Sequence, residues 1–220
     1  SGGKGGNGGY VSVSAAGALS TSGSMSNAVL AQSIGGGGGS GGNSVSVSAS
    51  LGAKAARSLS TSIGGNGKSA GHGGEVSILT SGQIMTAGQF SMGLAAQSIG
   101  GSGGIGGNSE SASVAISAGK QDDKPDKKPG GKTVTVSVGG NGGDGGNGGA
   151  INITNGAALT TQGDVSVGIL AQSVGGGGGA GGHADSIFLT GSSKTPVDDD
   201  GTGFSLNHLK SMELALGGNG

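Results

Sequence analysis

The sequence predicts an all-β fold, a repetitive, β-solenoid-like layered structure with almost no α-helix. Three observations carry this. One unit recurs three times, glycine runs keep a three-residue period, and the segments between them alternate every second residue.

The recurrence is the first of these. VLAQSIGGGGGSGGN (29–43), LAAQSIGGSGGIGGN (94–108) and ILAQSVGGGGGAGGH (169–183) align without a gap. Their glutamines, Gln32, Gln97 and Gln172, are 65 and 75 residues apart, and the same offsets superpose Val11, Val76 and Ile151, then Leu19, Ile84 and Leu159, then Gly23, Gly88 and Gly163. The units are 1–63, 64–138 and 139–220. The ten-residue difference in spacing is one charged insertion, KQDDKPDKKPGGK (120–132), and the third unit carries SKTPVDDDGTG (193–203) at the corresponding place. The opening SGGKGGNGG has neither an initiator methionine nor a signal peptide, and the closing GGNG resembles the start of another unit, so the chain reads as an excerpt of a longer array.

Within the glycine runs the other residues recur at every third position: Asn141, Asp144, Asn147 and Ala150 in one, Ser102, Ile105 and Asn108 in another. Lys68 and Ala70 interrupt the pattern in the second unit. Three residues per turn is the period of the extended polyproline II helix, which glycine also adopts. Such a helix has no internal hydrogen bonds, so its N–H and C=O groups need partners on neighbouring chains, and glycine lets those chains approach. The runs are therefore expected to be laterally packed polyglycine II helices. A flexible linker has no reason to keep phase across three copies.

The alternating segments, such as Tyr10-Val11-Ser12-Val13-Ser14 and Thr133-Val134-Thr135-Val136-Ser137-Val138, have strand patterning with valine or isoleucine on one face. Eight strand residues span ~26 Å and nine residues of a glycine run ~28 Å, so the two kinds of element fit side by side. Residues 205–216 lack the glycine punctuation and admit a weak helix, but alignment with 58–63 and 133–138 favours a strand ending at Leu216.

Composition narrows the function. With 58 glycines and 2% aromatics in 220 residues there is no conventional core, and each unit depends on stacked neighbours. Eleven basic and 12 acidic residues leave no electrostatic case for nucleic acid, and no run of about 18 apolar residues exists for membrane insertion. The absence of cysteine removes disulfide and thiolate chemistry and fits a protein exported unfolded.

The tracts AVLAQSIGGGGGSGG (28–42) and GILAQSVGGGGGAGG (168–182), with coils such as GALSTSG (17–23), resemble the glycine-rich repeats in passenger regions of very large bacterial autotransporters. The resemblance covers most of the chain. It implies a right-handed β-helical stalk at the cell surface, exported through a C-terminal β-barrel, with an adhesive or biofilm-matrix role. The three-residue glycine period departs from a plain β-helix rung.

Chemical sites are sparse. SIGGNGKS (62–69) imitates a phosphate loop, but serine stands where glycine is required and no helix follows. GGNGGDGGN (139–147) matches half of a calcium-binding nonapeptide and makes Asp144 a weak calcium ligand candidate, as the acidic run makes Asp198, Asp199 and Asp200. His72, His183 and His208 have no zinc spacing, and no serine lies in a nucleophile elbow. No cofactor and no catalytic residue is expected. Gln32, Gln97 and Gln172 are expected to form a stacked amide ladder.

The favoured reading is an extracellular structural or adhesive stalk segment whose partners are neighbouring repeats or identical chains. The alternative is a subunit of a self-assembling extracellular filament, and a calcium- or ice-binding module comes third.

Overall fold

The structure, a computed structural model, describes residues 1–52, 56–117, 132–193, 204–205 and 210–220. The first unit contributes β1 (Val11–Ala15), β2 (Leu19–Thr21), β3 (Val29–Ile34), β4 (Ser44–Gly52) and β5 (Arg57–Ile63). The second contributes β6 (Val76–Thr80), β7 (Ile84–Thr86), β8 (Met92–Ile99), β9 (Ser109–Ser117) and β10 (Lys132–Val138). The third contributes β11 (Ile151–Asn155), β12 (Leu159–Thr161), β13 (Val167–Val174), β14 (Ala184–Ser193), β15 (Phe204–Ser205) and β16 (Lys210–Leu216). The described residues contain no helix, and residues 210–216 form the strand favoured by the alignment.

Five sheets take one strand from each unit, all parallel, with the second unit always in the middle; only β15 joins antiparallel, on β14. The register follows the sequence alignment. Val76 pairs with Val11 and Ile151, Ile84 with Leu19 and Leu159, and Gln97 with Gln32 and Gln172. A parallel pair in register buries equivalent residues on the same side, so one pattern repeated three times generates continuous faces.

Each unit runs through a glycine segment, three strands, a second glycine segment and two strands that are longer on average, with β15 between them in the third unit; the two groups are called here the short and the longer strands. The short strands enclose the aliphatic cluster of Val29, Ala31, Val76, Ile78, Ile84, Leu94 and Ala96, with Val11, Val13, Ile151 and Ile153 packed against it. The glycine segments are joined by two sets of hydrogen bonds. In the first, every third N–H donates to the equivalent run of the next unit, as from Gly5 to Ser69 O at 3.0 Å and from Gly38 to Ser102 O at 2.8 Å. In the second, the following N–H donates to the facing run, forming continuous columns. One column passes from Gly176 to Gly146, Gly101, Gly71, Gly36 and Gly6, each N–H on the next carbonyl at 2.7–3.0 Å.

The third residue of the triplets lies on the outer side, and where its counterpart one unit back is asparagine that side chain meets its N–H: Asn141 N–H donates to Asn66 Oδ1, His183 N–H to Asn108 Oδ1 and Asn108 N–H to Asn43 Oδ1, each at 2.9 Å. His72 substitutes for asparagine by accepting from Asn147 N–H through Nδ1 at 2.8 Å. The serine of each AQS tract ends the glycine layer. Ser98 Oγ accepts from Gly149 N–H at 2.7 Å and donates to Gly74 O at 2.8 Å, while Ser33 Oγ accepts from Gly74 N–H and donates to Gly9 O.

None of the described glycines has a φ in the left-handed region, so close approach, not backbone conformation, selects glycine here. A Cβ on Gly71 would lie 1.9 Å from Gly6 O, and one on Gly107 would lie 2.1 Å from Gly42 O. Lys68, at the place of Gly143, makes a longer bond to Gly39 O, 3.1 Å against 2.7 Å for Gly143 to Gly104 O.

The two longer strands of each unit emerge from backbones already in hydrogen-bond contact, whereas sheets packed through large side chains stand ~10 Å apart. In the first two units small residues, mostly serine and threonine, therefore fill the space between the β4–β9–β14 and β5–β10–β16 sheets, while in the third unit Phe188 and Glu213 take the register positions of Ser113 and Thr135. Ser60, 1% exposed, donates to Ser46 O at 2.9 Å, and Ser111 donates to Val136 O at 2.8 Å. Thr135 pairs in register with Ser60 and is fully buried, yet its hydroxyl has no partner. The extra methyl restricts χ1 and withholds the rotation that serine uses.

Two predictions follow from these contacts. Gly71→Ala should cost ~1–3 kcal/mol or more by overpacking, whereas Gly6→Ala, whose Cβ would meet nothing within 4 Å, should change stability by less than about 0.5 kcal/mol; equal effects in thermal denaturation would contradict the close-approach account. Ser60→Ala and Thr135→Val should have opposite signs, the first destabilising by about 1 kcal/mol through a lost hydrogen bond and the second stabilising by about 1 kcal/mol by removing a buried orphan hydroxyl. Urea unfolding of both variants checks this.

Candidate functional site

With the serines turned inward, alternation places the aliphatic residues of the longer strands outward. On the β4–β9–β14 sheet Val45, Val47, Leu51 and Ile187 are 68%, 72%, 79% and 70% exposed, and on the β5–β10–β16 sheet Leu59 and Ile63 are each 65% exposed. A shallow depression of about 500 Å³ crosses the first face, lined by Val45, Val47, Glu110, Ala112, Asp185 and Ile187. Val45, Glu110 and Asp185 share one register position, so the start of this face is acidic; Arg57, Lys132 and Lys210 share one on the other sheet. This exposed apolar surface makes the face the candidate interaction surface.

A second feature is the corner before β3, β8 and β13. Met25, Phe90 and Val165 have φ of 54°, 55° and 53° and are 77%, 56% and 74% exposed. The following serines hold the corner: Ser26 N–H donates to Ser91 Oγ at 3.1 Å, Ser91 N–H to Ser166 Oγ at 3.2 Å, and Ser91 Oγ to Gly23 O at 3.1 Å. The left-handed conformation is thus imposed by neighbouring units on residues that do not favour it, and the side chains form an exposed apolar row.

No protein-family model, curated protein or solved structure matches the chain. The functional reading therefore rests on this geometry and the sequence.

Gln32, Gln97 and Gln172 form the expected ladder: Gln32 Nε2 donates to Gln97 Oε1, and Gln97 Nε2 to Gln172 Oε1 at 2.9 Å. Asp144 occupies an exposed third position, with Ser69 Oγ 3.4 Å from its carboxylate, and the described residues include no group of three or more metal-ligating side chains. Asp198, Asp199, Asp200 and His208 lie outside the described residues, as do 120–131 of the first insertion. His183 Nε2 lies 3.0 Å from Asp185 Oδ1. In the phosphate-loop mimic the N–H groups of Gly64, Gly65, Gly67 and Lys68 all donate to neighbouring backbones and are not turned together toward a phosphate. Among the described residues no helix is long and apolar enough to cross a membrane.

Sequence reasoning missed both features. The alternation was legible, but which face turns outward depends on the spacing set by the glycine runs. The left-handed corner lacks the glycine or asparagine that signals one. Val165→Gly should relieve a strain of order 1 kcal/mol and raise the melting temperature; a lower one would mean that the corner is not strained.

Proposed function

We propose that the chain is a segment of an extracellular, surface-exposed stalk of the autotransporter-adhesin kind. In this reading each unit closes as one coil of a β-solenoid, and the glycine runs are packed polyglycine II helices between an aliphatic zone and a serine zone. The three-residue recurrence of the inter-run hydrogen bonds supports the helical assignment. The repeats supply reach and resistance to proteolysis, and the outward aliphatic faces supply a surface on which a host or matrix component adsorbs. The reading assigns no catalysis and no cofactor.

The observation that carries it is the recurrence of the same backbone register from the first unit to the second and from the second to the third. Length is then added unit by unit at constant geometry, as a stalk requires. Bonded amides inside glycine runs are also closed to a protease, which needs an extended segment free to enter its cleft.

Digestion with proteinase K under native conditions, read by mass spectrometry, should leave 35–43, 100–108 and 175–183 uncut. Rapid cleavage within those runs would defeat the stalk reading. For the adhesive surface, Val47→Lys with Ile187→Lys should reduce adsorption to a hydrophobic surface at least several-fold without altering the circular dichroism spectrum.

A further inference from the structure

The outward faces of the two longer-strand sheets are mainly aliphatic, and each begins with one charged row of opposite sign to the other. On the β4–β9–β14 sheet that row is Val45, Glu110 and Asp185; on the β5–β10–β16 sheet it is Arg57, Lys132 and Lys210. Glu110, Asp185, Arg57 and Lys132 are exposed. The strands of the two sheets run in opposite directions, because Ser62 donates to Ser44 O and Ser60 to Ser46 O across the space between them. β4 leaves a glycine run at Ser44 and β5 enters one after Ile63. The acidic row therefore stands beside the glycine layer and the basic row away from it, on opposite sides of the sandwich. Units added at either end of the stack lengthen both faces and cover neither.

The two faces match row for row when a second copy is turned end for end about the sheet normal. Its basic row then lies over the acidic row. The turn also reverses the order of units, so Lys132 stands over Glu110, Arg57 over Asp185, and Lys210 over the neutral Val45. The aliphatic rows follow in step, that of Val47 against that of Leu59 and that of Leu51 against that of Ile63. Without the turn, Glu110 and Asp185 would lie against the row of Thr61, Val136 and Leu214 and lose water with no partner. Two faces of the same kind would set like charges together or against aliphatic rows.

We propose that the outer face of the β4–β9–β14 sheet docks on the outer face of the β5–β10–β16 sheet of a second copy, in this antiparallel arrangement. The contact is heterologous and leaves each copy one free face of each kind, so copies layer side by side. Three strands and four outward rows cover roughly 14 by 26 Å, about half of the ~800 Å² per partner of a stable pair. Three units thus give a weak, salt-sensitive contact that strengthens with the number of units in register. The proposal rests on the outward faces that the stalk reading offers to a matrix component, and names a partner for them.

Zero-length carbodiimide coupling of an equimolar mixture of isotope-labelled and unlabelled chain, at micromolar and millimolar concentration, reads the contact by mass spectrometry. A mixed-isotope peptide joining Glu110 to Lys132 is expected at the higher concentration and should fall several-fold in half-molar salt. Asp185 has His183 Nε2 3.0 Å from its carboxylate, so Glu110 is the cleaner reporter. Glu110→Lys with Asp185→Lys reverses the acidic row, and Arg57→Glu with Lys132→Glu reverses the facing part of the basic one. In sedimentation velocity each of these variants alone should associate at least about tenfold more weakly than the wild type. An equimolar mixture of the two should recover the association, because each offers the other a row of opposite sign. No mixed-isotope link between Glu110 and Lys132 at millimolar concentration, or a mixture that associates no better than either variant, would overturn the proposal. Adsorption to a hydrophobic surface, and with it the stalk reading, would be untouched by that outcome.

Discussion

The structure depends on the distance between glycine backbones. Where a Cβ on Gly71 or Gly146 would stand 1.9 Å from an oxygen of the preceding unit, no other residue permits the approach that lets N–H and C=O meet directly. The composition follows. A chain with 2% aromatic residues cannot rely on a large apolar core, and here much of its polar backbone is satisfied by backbone instead. Individual hydrogen bonds contribute little net stability, but leaving these groups dry and unpaired would be costly, so the network permits the packing more than it drives it. The drive comes from the aliphatic cluster enclosed by the short strands, which the glycine layer holds in register from unit to unit.

The two hydrogen-bond sets in the glycine layer point in opposite directions along the stack. Bonds between equivalent runs direct the N–H toward the next unit, as Gly5 does to Ser69; the columns direct it back, as Gly71 does to Gly36. Each column gains from polarisation along its length, while the opposed sets limit the dipole that would otherwise accumulate as units are added. Lengthening the array therefore carries little electrostatic penalty. The exposed third positions complete the layer, because an asparagine there accepts from the neighbouring unit's third-position N–H, as Asn66 does from Asn141. The recurrent GGN triplet thus has a mechanical basis: two residues without side chains for packing, and one whose amide closes the outer row.

Much of the fold was legible because register in a repeat is a property of sequence alignment. Offsets read from Gln32, Gln97 and Gln172 are the offsets of the strand pairs, and the glutamine ladder follows from them. The two-residue alternation identified the strands but not their inward face, since Val47 and Ser48 are equally able to point either way. That choice goes with the glycine runs at the strand ends, which hold the two sheets close, so that inward serine hydroxyls reach the carbonyls of the facing sheet, as Ser60 and Ser111 do. Polar hydroxyls are then buried against carbonyls, and the residues ordinarily assigned to a core are outside. The corner at Met25, Phe90 and Val165 was hidden for a related reason: its conformation is imposed by Ser91 and Ser166 of adjacent units, an interaction between distant residues that no local preference records.

The same dependence separates what this chain holds rigid from what it leaves free to vary. Most glycines inside the stack are constrained on several sides, so apart from Lys68 and Ala70 variation there falls at the exposed third position, where Asn, Asp, Ser, Ile, His and Ala all occur. The outer faces of the longer strands carry no such restriction. Their residues touch few neighbours, and the same register position holds Val45, Glu110 and Asp185 in successive units. A scaffold whose geometry is set by backbone contacts can vary these surfaces without altering its spacing. The apolar and charged residues displayed there are therefore free to change in chemistry, while the glycine layer fixes where they stand.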